Sequence, residues 1–275
     1  MTTNNDFNAD TAAETRRNEN PIGSGAQLRQ RWRAGGISYG VGVTMPSAAT
    51  AQLLAHAGFD WLMIDMEHGP ISISAAHAMI AATAGTEVAP LVRVPQNLPW
   101  LAKPALDAGA AGIVYPQINS RDDAVAAARA TRYPPAGDRM WGPFYASARF
   151  GLPIADYLRA ANDALVTIVL IEHPYAIDLI DEILTADGID AAVIGTHDLA
   201  VSMGRPGQLD HPDVLDAVDR AEKAIHDSPV VLGGNAFTPE QARQMAERGY
   251  QLLALGFDWS LLQRGAAAVL DGVAR

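Results

Sequence analysis

The sequence contains no cysteine among its 275 residues. This absence excludes disulfides, thiolate nucleophiles, cysteine-ligated zinc sites and iron–sulfur clusters. Lysine is nearly absent as well, since only Lys103 and Lys223 occur, both in stretches with helical periodicity. A Schiff-base enzyme needs a lysine in an apolar pocket, so carbonyl chemistry in this chain favours a metal ion bound by oxygen or imidazole ligands.

Positive charge is also scarce, with 20 Lys and Arg against 31 Asp and Glu and a formal net charge of −11 at pH 7. Such a surface lacks the field that attracts phosphate backbones or anionic lipids, so binding of nucleic acid or membrane surfaces is not expected. No uninterrupted apolar run approaches the roughly 20 residues of a membrane span, and the N-terminus lacks the pattern of a signal peptide. We therefore expect a soluble cytoplasmic protein.

The N-terminal stretch differs in composition from the rest of the chain. Residues 1–25 are rich in Asn, Thr, Asp and Gly and carry hardly any large apolar side chain, so they cannot offset the entropy of their own ordering. We predict a disordered tail over residues 1–25. The remaining residues, 26–275, are predicted to form a single domain, since 49% of the chain is hydrophobic.

From Leu28 onward, short apolar runs rich in β-branched residues alternate with longer stretches of helical periodicity. Near-continuous apolar runs indicate strands buried on both faces, as in a parallel sheet covered by helices. Eight such units predict the α/β class and a (β/α)8 TIM barrel. The predicted strands are residues 38–44, 61–65, 90–94, 112–115, 166–172, 191–195, 230–233 and 252–255. The predicted helices are residues 48–57, 73–84, 98–108, 121–131, 175–185, 212–226 and 239–248, with a last one from about Trp259.

An open, doubly wound sheet is the alternative architecture. Its phosphate-binding fingerprint GxGxxG should follow the first strand, whereas Gly40 and Gly42 lie within that strand and no third glycine follows at the right spacing. Residues 133–163 interrupt the alternation with several prolines and glycines, and we predict a long loop there that acts as a lid or an interface arm.

Polar side chains follow the second and third predicted strands. Catalytic groups of a TIM barrel project from the C-terminal ends of its strands, and here the second strand runs into Asp65, Met66, Glu67 and His68. A solvated turn is the alternative for any one of these residues alone. Arg93 lies in an apolar run, so it either meets an anion at the barrel mouth or forms a structural ion pair.

The fifth and sixth predicted strands end near Glu172 and Asp198. Neighbouring strands of a barrel bring these carboxylates together, and two carboxylates with open positions around them suit a hard cation such as Mg²⁺ or Mn²⁺. The turn at Gly195 leads into a helix whose free N–H groups could receive a substrate carboxylate. Ordinary helix capping by Asp198 is the alternative. Asp107 is unusual because an acid in a last helical turn opposes the helix dipole.

Five motifs resemble motifs of the HpcH/HpaI aldolase family and follow one another in the same order as in that family. Its members are metal-dependent pyruvate aldolases with a (β/α)8 fold. The resemblance extends from about Leu28 to the C-terminus. The motifs are residues 54–60 (LAHAGFD), 65–68 (DMEH), 91–95 (LVRVP), 132–137 (RYPPAG) and 194–199 (IGTHDL).

The resemblance implies a role for each polar residue at the strand ends. His68 would be the general base, acting through a water, while Asp107 would raise its basicity and Asp65 would help to hold it. Arg93 would stabilise the developing oxyanion. Glu172 and Asp198 would bind a divalent metal, Mg²⁺, Mn²⁺ or Co²⁺. The substrate carboxylate would lie against Gly195, Thr196 and the backbone N–H groups of His197 and Asp198.

The implied reaction is reversible aldol cleavage of a 4-hydroxy-2-oxo acid into an aldehyde and pyruvate or a related 2-oxo acid. The implied assembly is a homo-oligomer, a hexamer built as a trimer of dimers, in which the last helix from about Trp259 is exchanged between protomers. Small molecules are the only other partners expected.

Three positions depart from the better-known pattern of this family. Leu170 stands where a substrate-contacting glutamine is usual, Thr196 and His197 replace a Pro-Ala pair, and Met140 and Trp141 follow Arg139 where a small residue is usual. Leu170 removes an amide donor near the oxo acid, and we expect Trp141 and His197 to reshape the pocket for the second substrate.

Two alternatives to an aldolase remain at the level of sequence. The same site could decarboxylate oxaloacetate or act as a lyase on a CoA thioester, although no basic cluster is evident for the nucleotide. The chain could also be a non-catalytic oligomeric barrel, since a fold alone does not determine function.

Overall fold

The computed structural model describes residues 23–273, and its central feature is a closed barrel of eight parallel strands. Each strand pairs with the next along the chain, and the last pairs with the first. This closure confirms the predicted (β/α)8 barrel and excludes the open doubly wound sheet. The strands are β1 (Ser38–Val43), β2 (Trp61–Asp65), β3 (Ala89–Arg93), β4 (Gly112–Tyr115), β5 (Val166–Ile171), β6 (Ala191–Ile194), β7 (Val231–Asn235) and β8 (Leu252–Phe257).

The helices begin where local sequence signals place them. The side chains of Ser47, Ser72, Ser120 and Thr238 each accept a backbone N–H of the first helical turn. The described helices are α1 (Ser24–Arg33), α2 (Ala48–Ala55), α3 (Ile73–Ala82), α4 (Pro99–Asp107), α5 (Arg121–Thr131), α6 (Phe144–Arg149), α7 (Ile154–Ala164), α8 (Pro174–Asp178), α9 (Ile180–Leu184), α10 (Thr196–Ser202), α11 (Pro212–His226), α12 (Pro239–Glu247) and α13 (Asp258–Asp271).

The strands bury both of their faces, which is why they read as continuous apolar runs. One cluster lies between the sheet and the surrounding helices and includes Leu62, Ile64 and Val92. The other fills the inside of the barrel and includes Met63 and Leu91. Successive residues of a strand therefore serve different cores, and the inward-pointing set ends at the polar residues of the barrel mouth.

Helix α1 belongs to the interior cluster as well. Leu28 and Trp32 pack with the inward residues near the strand starts, and the indole N–H of Trp32 donates to the Ser38 hydroxyl at 2.9 Å. The helix therefore covers the end of the barrel opposite the site. It begins at Ser24, so the last residues of the predicted 1–25 tail are helical, and residues 1–22 lie outside the described part of the chain.

The segment predicted as a long loop, residues 133–163, contains helices α6 and α7. Tyr157, in α7, is fully buried and packs edge-to-face on Phe150. The segment is therefore part of the packed helical layer, because α7 carries an apolar face that the prolines preceding it obscure. The helix predicted over residues 175–185 is divided at Leu179 into α8 and α9.

The last helix, α13, leaves most of its large apolar side chains in solvent. Trp259, Leu262, Val269 and Leu270 are all exposed. The predicted exchange of this helix between protomers stays a prediction, since the structure is that of one chain. None of the helices within residues 23–273 combines the length and the apolarity needed to cross a membrane.

Candidate active site

The strand ends surround a cavity at the C-terminal mouth of the barrel. Its lower wall is apolar and includes Met63, Leu91 and Val193, whereas its polar groups lie at the top. Five of the residues singled out in the sequence line it together: Arg93, Leu170, Glu172, Gly195 and Asp198. Strands β3, β5 and β6 and the start of α10 thus bring one cation and two carboxylates to a single opening.

Arg93 is fixed by Asp65, the last residue of the neighbouring strand β2. Arg93 Nε donates to Asp65 Oδ1 at 2.9 Å and Nη2 to Oδ2 at 2.5 Å, and the carboxylate is fully buried. Burial alone would lower the pKa of Arg93, but the hydrogen bonds and charge of Asp65 outweigh it and raise that pKa. For Arg93, the sequence left open a position at the barrel mouth or a structural ion pair. The structure shows both, since Arg93 lines the cavity and is paired with Asp65.

Asp65 also organises the turn that follows β2. Its Oδ1 accepts the backbone N–H groups of Glu67 and His68 at 3.1 and 3.2 Å. The His68 side chain is 61% exposed, and its Nε2 lies 3.8 Å from Glu67 Oε2. Asp65 therefore fixes the backbone of the turn that carries His68, and its role in holding the His68 side chain stays a prediction.

Glu172 comes directly after β5, and its carboxylate is held by the backbone. Its Oε1 accepts the N–H of Gln117 at 2.6 Å, and Gln117 adopts a left-handed conformation with φ of 55°. Burial, with the nearby charges of Asp198 and Glu67, raises the pKa of Glu172 to about 7. A carboxylate in this state gains from a bound cation, which would favour its ionised form.

Position 195 requires glycine, because the backbone there lies too close to Glu172 for a side chain. A Cβ atom at position 195 would lie 2.9 Å from Glu172 Cβ and 3.0 Å from Glu172 Oε2. The glycine therefore lets strand β6 and helix α10 approach the carboxylate, which places Asp198 on the same cavity.

Asp198 lies in the first turn of α10 and does not cap that helix. The residue before the helix, Gly195, has no side chain to cap it, and no hydrogen bond within residues 23–273 uses the backbone N–H groups of Thr196, His197 or Asp198. Capping by Asp198 is therefore wrong, and these N–H groups are free to meet an anion.

The carboxylates fit a hard divalent cation in chemistry but not as a complete cage. Glu172 and Asp198 supply oxygen ligands, which Mg²⁺ and Mn²⁺ prefer. Within residues 23–273, no group of three or more His, Asp or Glu side chains is arranged to hold a metal ion. A two-carboxylate site needs water and substrate oxygens to complete the shell, as expected of an open catalytic site.

Asp107 is not brought to His68 within the described chain. Its Oδ1 accepts from Arg139 Nη2 at 2.8 Å, and no ion pair or hydrogen bond joins it to the imidazole in residues 23–273. Arg139 is buried and lies 4.4 Å from the Tyr133 ring centroid. The unusual acid at the end of α4 thus has a structural partner that the sequence did not indicate.

The three departures from the family pattern lie in different places. Leu170 lines the cavity and is buried. Thr196 and His197 line an adjoining groove together with Phe237, whose ring centroid is 5.4 Å from that of His197. Trp141 is exposed and packs edge-to-face on Phe144, and it does not line the cavity of its own chain.

Several residues of the site were not predicted. Asn235 and Phe257 line the cavity at the ends of β7 and β8. Asn235 was missed because β7 was predicted to end at residue 233, although a polar residue at a strand end is the signal used elsewhere. Gln117 was missed because a left-handed backbone is not readable from a glutamine. Glu67 was seen in its motif but given no role.

Comparison with known proteins identifies a family and related enzymes. The family model described as HpcH/HpaI aldolase/citrate lyase matches residues 40–264. The 4-hydroxy-2-oxo-heptane-1,7-dioate aldolase of Klebsiella pneumoniae subsp. pneumoniae is 37% identical over 86% of this chain and 89% of that protein. The hydroxypyruvate/pyruvate aldolase of Roseovarius nubinhibens is 37% identical over 80% of this chain and 85% of that protein.

Among solved structures, a HpcH/HpaI aldolase/citrate lyase family protein from Burkholderia cenocepacia J2315 superposes with a TM-score of 0.83 at 36% identity. The match covers 90% of this chain and 98% of that one. The similarity therefore includes the barrel and its mouth.

Proposed function

The chain belongs to the HpcH/HpaI aldolase/citrate lyase family and is an aldolase, a carbon–carbon lyase, and we propose that it is metal-dependent and reversibly cleaves a 4-hydroxy-2-oxo acid into an aldehyde and pyruvate or a related 2-oxo acid. One observation carries this proposal. Arg93, Glu172 and Asp198 line a single cavity at the barrel mouth, and the turn that bears His68 is tied to Arg93 through Asp65.

Glu172 and Asp198 are the residues that would hold a divalent metal, Mg²⁺, Mn²⁺ or Co²⁺. When bound, such an ion acts as a Lewis acid that polarises the 2-oxo group of the substrate. The free N–H groups of Thr196, His197 and Asp198 orient the substrate carboxylate beside that oxygen. Leu170 excludes water from the adjoining wall of the cavity.

In the cleavage direction, His68, acting through a water, removes the proton from the C4 hydroxyl. The C3–C4 bond breaks, the aldehyde forms at C4, and the electron pair passes through C3 to the 2-oxo oxygen. Arg93, held in place by Asp65, supplies fixed positive charge toward that oxygen. Proton return to C3 then yields the 2-oxo acid, and synthesis reverses each step.

The test is retro-aldol turnover before and after chelation with EDTA, using a panel of 4-hydroxy-2-oxo acids. We expect activity to disappear on chelation and to return when Mg²⁺, Mn²⁺ or Co²⁺ is added. A His68→Ala variant should lose turnover while retaining metal binding in calorimetry. Full activity in chelated, metal-free protein would contradict the metal-dependent mechanism, and unchanged turnover in His68→Ala would contradict the assignment of the base.

Oxaloacetate and a CoA thioester belong in the same panel. Decarboxylation of oxaloacetate also places negative charge on a 2-oxo oxygen, so we expect it as a slower reaction at the same site. Turnover that is faster with oxaloacetate or with the thioester than with every hydroxy-oxo acid would replace the aldol assignment.

The active assembly is proposed to be a homo-oligomer, a hexamer formed from three dimers that exchange α13. The exposed apolar side chains of α13 support an exchange, because a helix with such a face is stable when it is covered. Trp141 and Phe144 form a second exposed apolar patch on the same chain, beside the Asp107–Arg139 pair.

A further inference from the structure

Asn235 lies at the cavity mouth, and the proposed mechanism gives its side chain no role. Two residues earlier, Gly233 faces the inside of the barrel, since a Cβ atom there would lie 2.7 Å from the interior side chain of Val193. Residues two apart in a strand share a face, so Asn235 also faces inward at the end of β7 and lines the cavity. It lines the adjoining groove as well, together with Thr196 and His197. Asn235 is therefore placed where the cavity and the groove meet.

The amide of Asn235 is available to a ligand. No hydrogen bond among residues 23–273 uses its side chain, whereas the nearby amide of Gln241 is occupied, because its Oε1 accepts the N–H of Phe237 at 2.8 Å. Among the described residues that line the cavity, Asn235 carries the only amide, a neutral group that both donates and accepts. A hydroxyl group has the same double capacity and is a matched partner for it.

The side chains around this amide are apolar or acidic. Leu170 and Phe257 line the same cavity and exclude water, which strengthens a hydrogen bond made there. The carboxylates of Glu172 and Asp198 lie on neighbouring strand ends, and the one cation of the lining, Arg93, is already paired with an aspartate. A second carboxylate on the substrate would therefore meet negative charge without a free cation to balance it.

The adjoining groove offers no free cation either. Its arginine, Arg248, contacts Asp219 at 3.1 Å and Glu222 at 2.5 Å. The imidazole of His197 packs against the Phe237 ring, with 5.4 Å between their centroids. Within residues 23–273, neither the cavity nor the groove is lined by a lysine or by an arginine without an acid partner. The distal part of a substrate that fits this surface is uncharged.

We propose that the second substrate is an uncharged aldehyde that carries a hydroxyl group, and that Asn235 is the specificity-determining residue that binds this hydroxyl. The inference rests on the proposed aldol reaction and names the class of its aldehyde. In synthesis, C3 of the 2-oxo acid loses a proton and bonds to the aldehyde carbon, and the aldehyde oxygen gains a proton. The product is a 4-hydroxy-2-oxo acid with a further hydroxyl beyond C4, and nothing is oxidised or reduced overall.

The test compares glycolaldehyde with propanal, in which a methyl group replaces the hydroxyl. With pyruvate as donor and Mn²⁺ present, Asn235→Leu should lower the ratio of kcat/KM for glycolaldehyde to kcat/KM for propanal by about 3- to 10-fold, the effect of losing one neutral hydrogen bond. Leucine keeps the branched shape of asparagine without its polar atoms. The matched control is Gln244→Leu, which removes an exposed amide that lines the groove but not the cavity, and it should leave the ratio unchanged.

Three results would overturn the role of Asn235. These are an unchanged ratio in Asn235→Leu, an equal fall in Gln244→Leu, and weaker Mn²⁺ binding by Asn235→Leu in calorimetry, which would assign the residue to the metal site. Absence of turnover with every aldehyde would be a different failure, because it would contradict the aldol reaction itself and the inference with it.

Two further comparisons locate the hydroxyl and test the charge. Hydroxypyruvate carries a hydroxyl on C3 of the oxo acid, so with propanal as acceptor its kcat/KM relative to pyruvate should not change in Asn235→Leu. A fall in that ratio would place the recognised hydroxyl on the donor and overturn the assignment to the aldehyde. The wild type should use glycolaldehyde at least about tenfold more efficiently than succinic semialdehyde, which carries a carboxylate. A preference for succinic semialdehyde would overturn the uncharged class.

Discussion

Asp65 serves two neighbours at once, and this dual contact sets the geometry of the barrel mouth. One of its oxygens accepts the N–H groups of the turn that carries His68, and both oxygens bind Arg93. A bidentate pair fixes the plane of a guanidinium, so the charge of Arg93, which we propose stabilises the oxyanion, is oriented before substrate arrives. A single buried carboxylate therefore contacts both the turn that bears the proposed general base and the cation proposed to stabilise the oxyanion.

Glu172 makes the metal-free protein sensitive to pH. Its pKa is about 7 in the fold against an ordinary 4.5, so the folded state binds this proton more tightly than the unfolded state does. The resulting stabilisation is fully present below pH 4.5 and is lost as pH rises through 7. The difference corresponds to about 3 kcal/mol.

We predict that Glu172→Gln makes the metal-free protein more stable than the wild type at pH 8, by up to about 3 kcal/mol, while the two are similar at pH 4.5. Glutamine keeps an acceptor for the Gln117 N–H but carries no charge. Urea unfolding in EDTA across this pH range measures the effect, with Glu182→Gln as the exposed control. Parallel stability curves for the wild type and Glu172→Gln would show that burial of this charge costs nothing.

Individual site residues could be predicted where a general rule of the fold applies to them. Arg93, Glu172 and Asp198 were found because polar residues at strand ends of a TIM barrel converge on its mouth. The pairing of Asp107 with Arg139 could not be found this way, because it joins α4 to a loop residue 32 positions later. No local pattern encodes such a contact.

The junction of β6 and α10 is the element on which the proposed metal site depends. Gly195 lies very close to Glu172. A methyl group added at position 195 would lie 3.0 Å from Glu172 Oε2 and 2.9 Å from Glu172 Cβ. Both of these atoms belong to Glu172, which is buried, so β6, α10 or Glu172 itself must shift if a methyl group fills that space.

We predict that Gly195→Ala weakens divalent metal binding by at least about tenfold, because displacing one of two protein ligands removes much of the site. Calorimetric titration with Mn²⁺ measures the change. The matched control is Gly265→Ala in α13, where no atom lies within 4 Å of the added methyl group, and it should leave the affinity unchanged. Wild-type affinity in Gly195→Ala would indicate that Glu172 does not ligate the metal.

Prediction of the elements succeeded where periodicity was strong. All eight strands were predicted because burial on both faces gives each an unbroken apolar run. Helices α6 and α7 were missed, since α6 has six residues and both follow prolines, features that favour a loop. Helix α1 was missed as well, because Gly23, Ser24 and Gly25 resemble a linker in composition, and no helix was predicted before residue 48.

At the scale of the whole molecule, the barrel is complete, and its last helix exposes a row of apolar side chains. Helix α13 contacts the ends of β1 and β8 at its start, where buried Asp258 accepts the N–H groups of Thr44 and Met45. Beyond that point its apolar side chains recur every three or four residues and stay exposed, as in Leu262 and Val269. Such a stripe on a helix is ordinarily covered by other protein.

We predict that the double variant Leu262→Asp, Leu270→Asp dissociates the proposed oligomer, because each aspartate would place a charge in the apolar contact that we propose between α13 and a neighbouring copy. Light scattering coupled to size-exclusion chromatography should give a hexamer for the wild type and a smaller species for the variant. Gln263→Asp, one residue away on the same exposed helix, is the matched control and should leave the mass unchanged. Circular dichroism should show that the barrel itself persists. A variant with the wild-type mass would mean that α13 does not mediate assembly, and a monomeric wild type would exclude the exchange altogether.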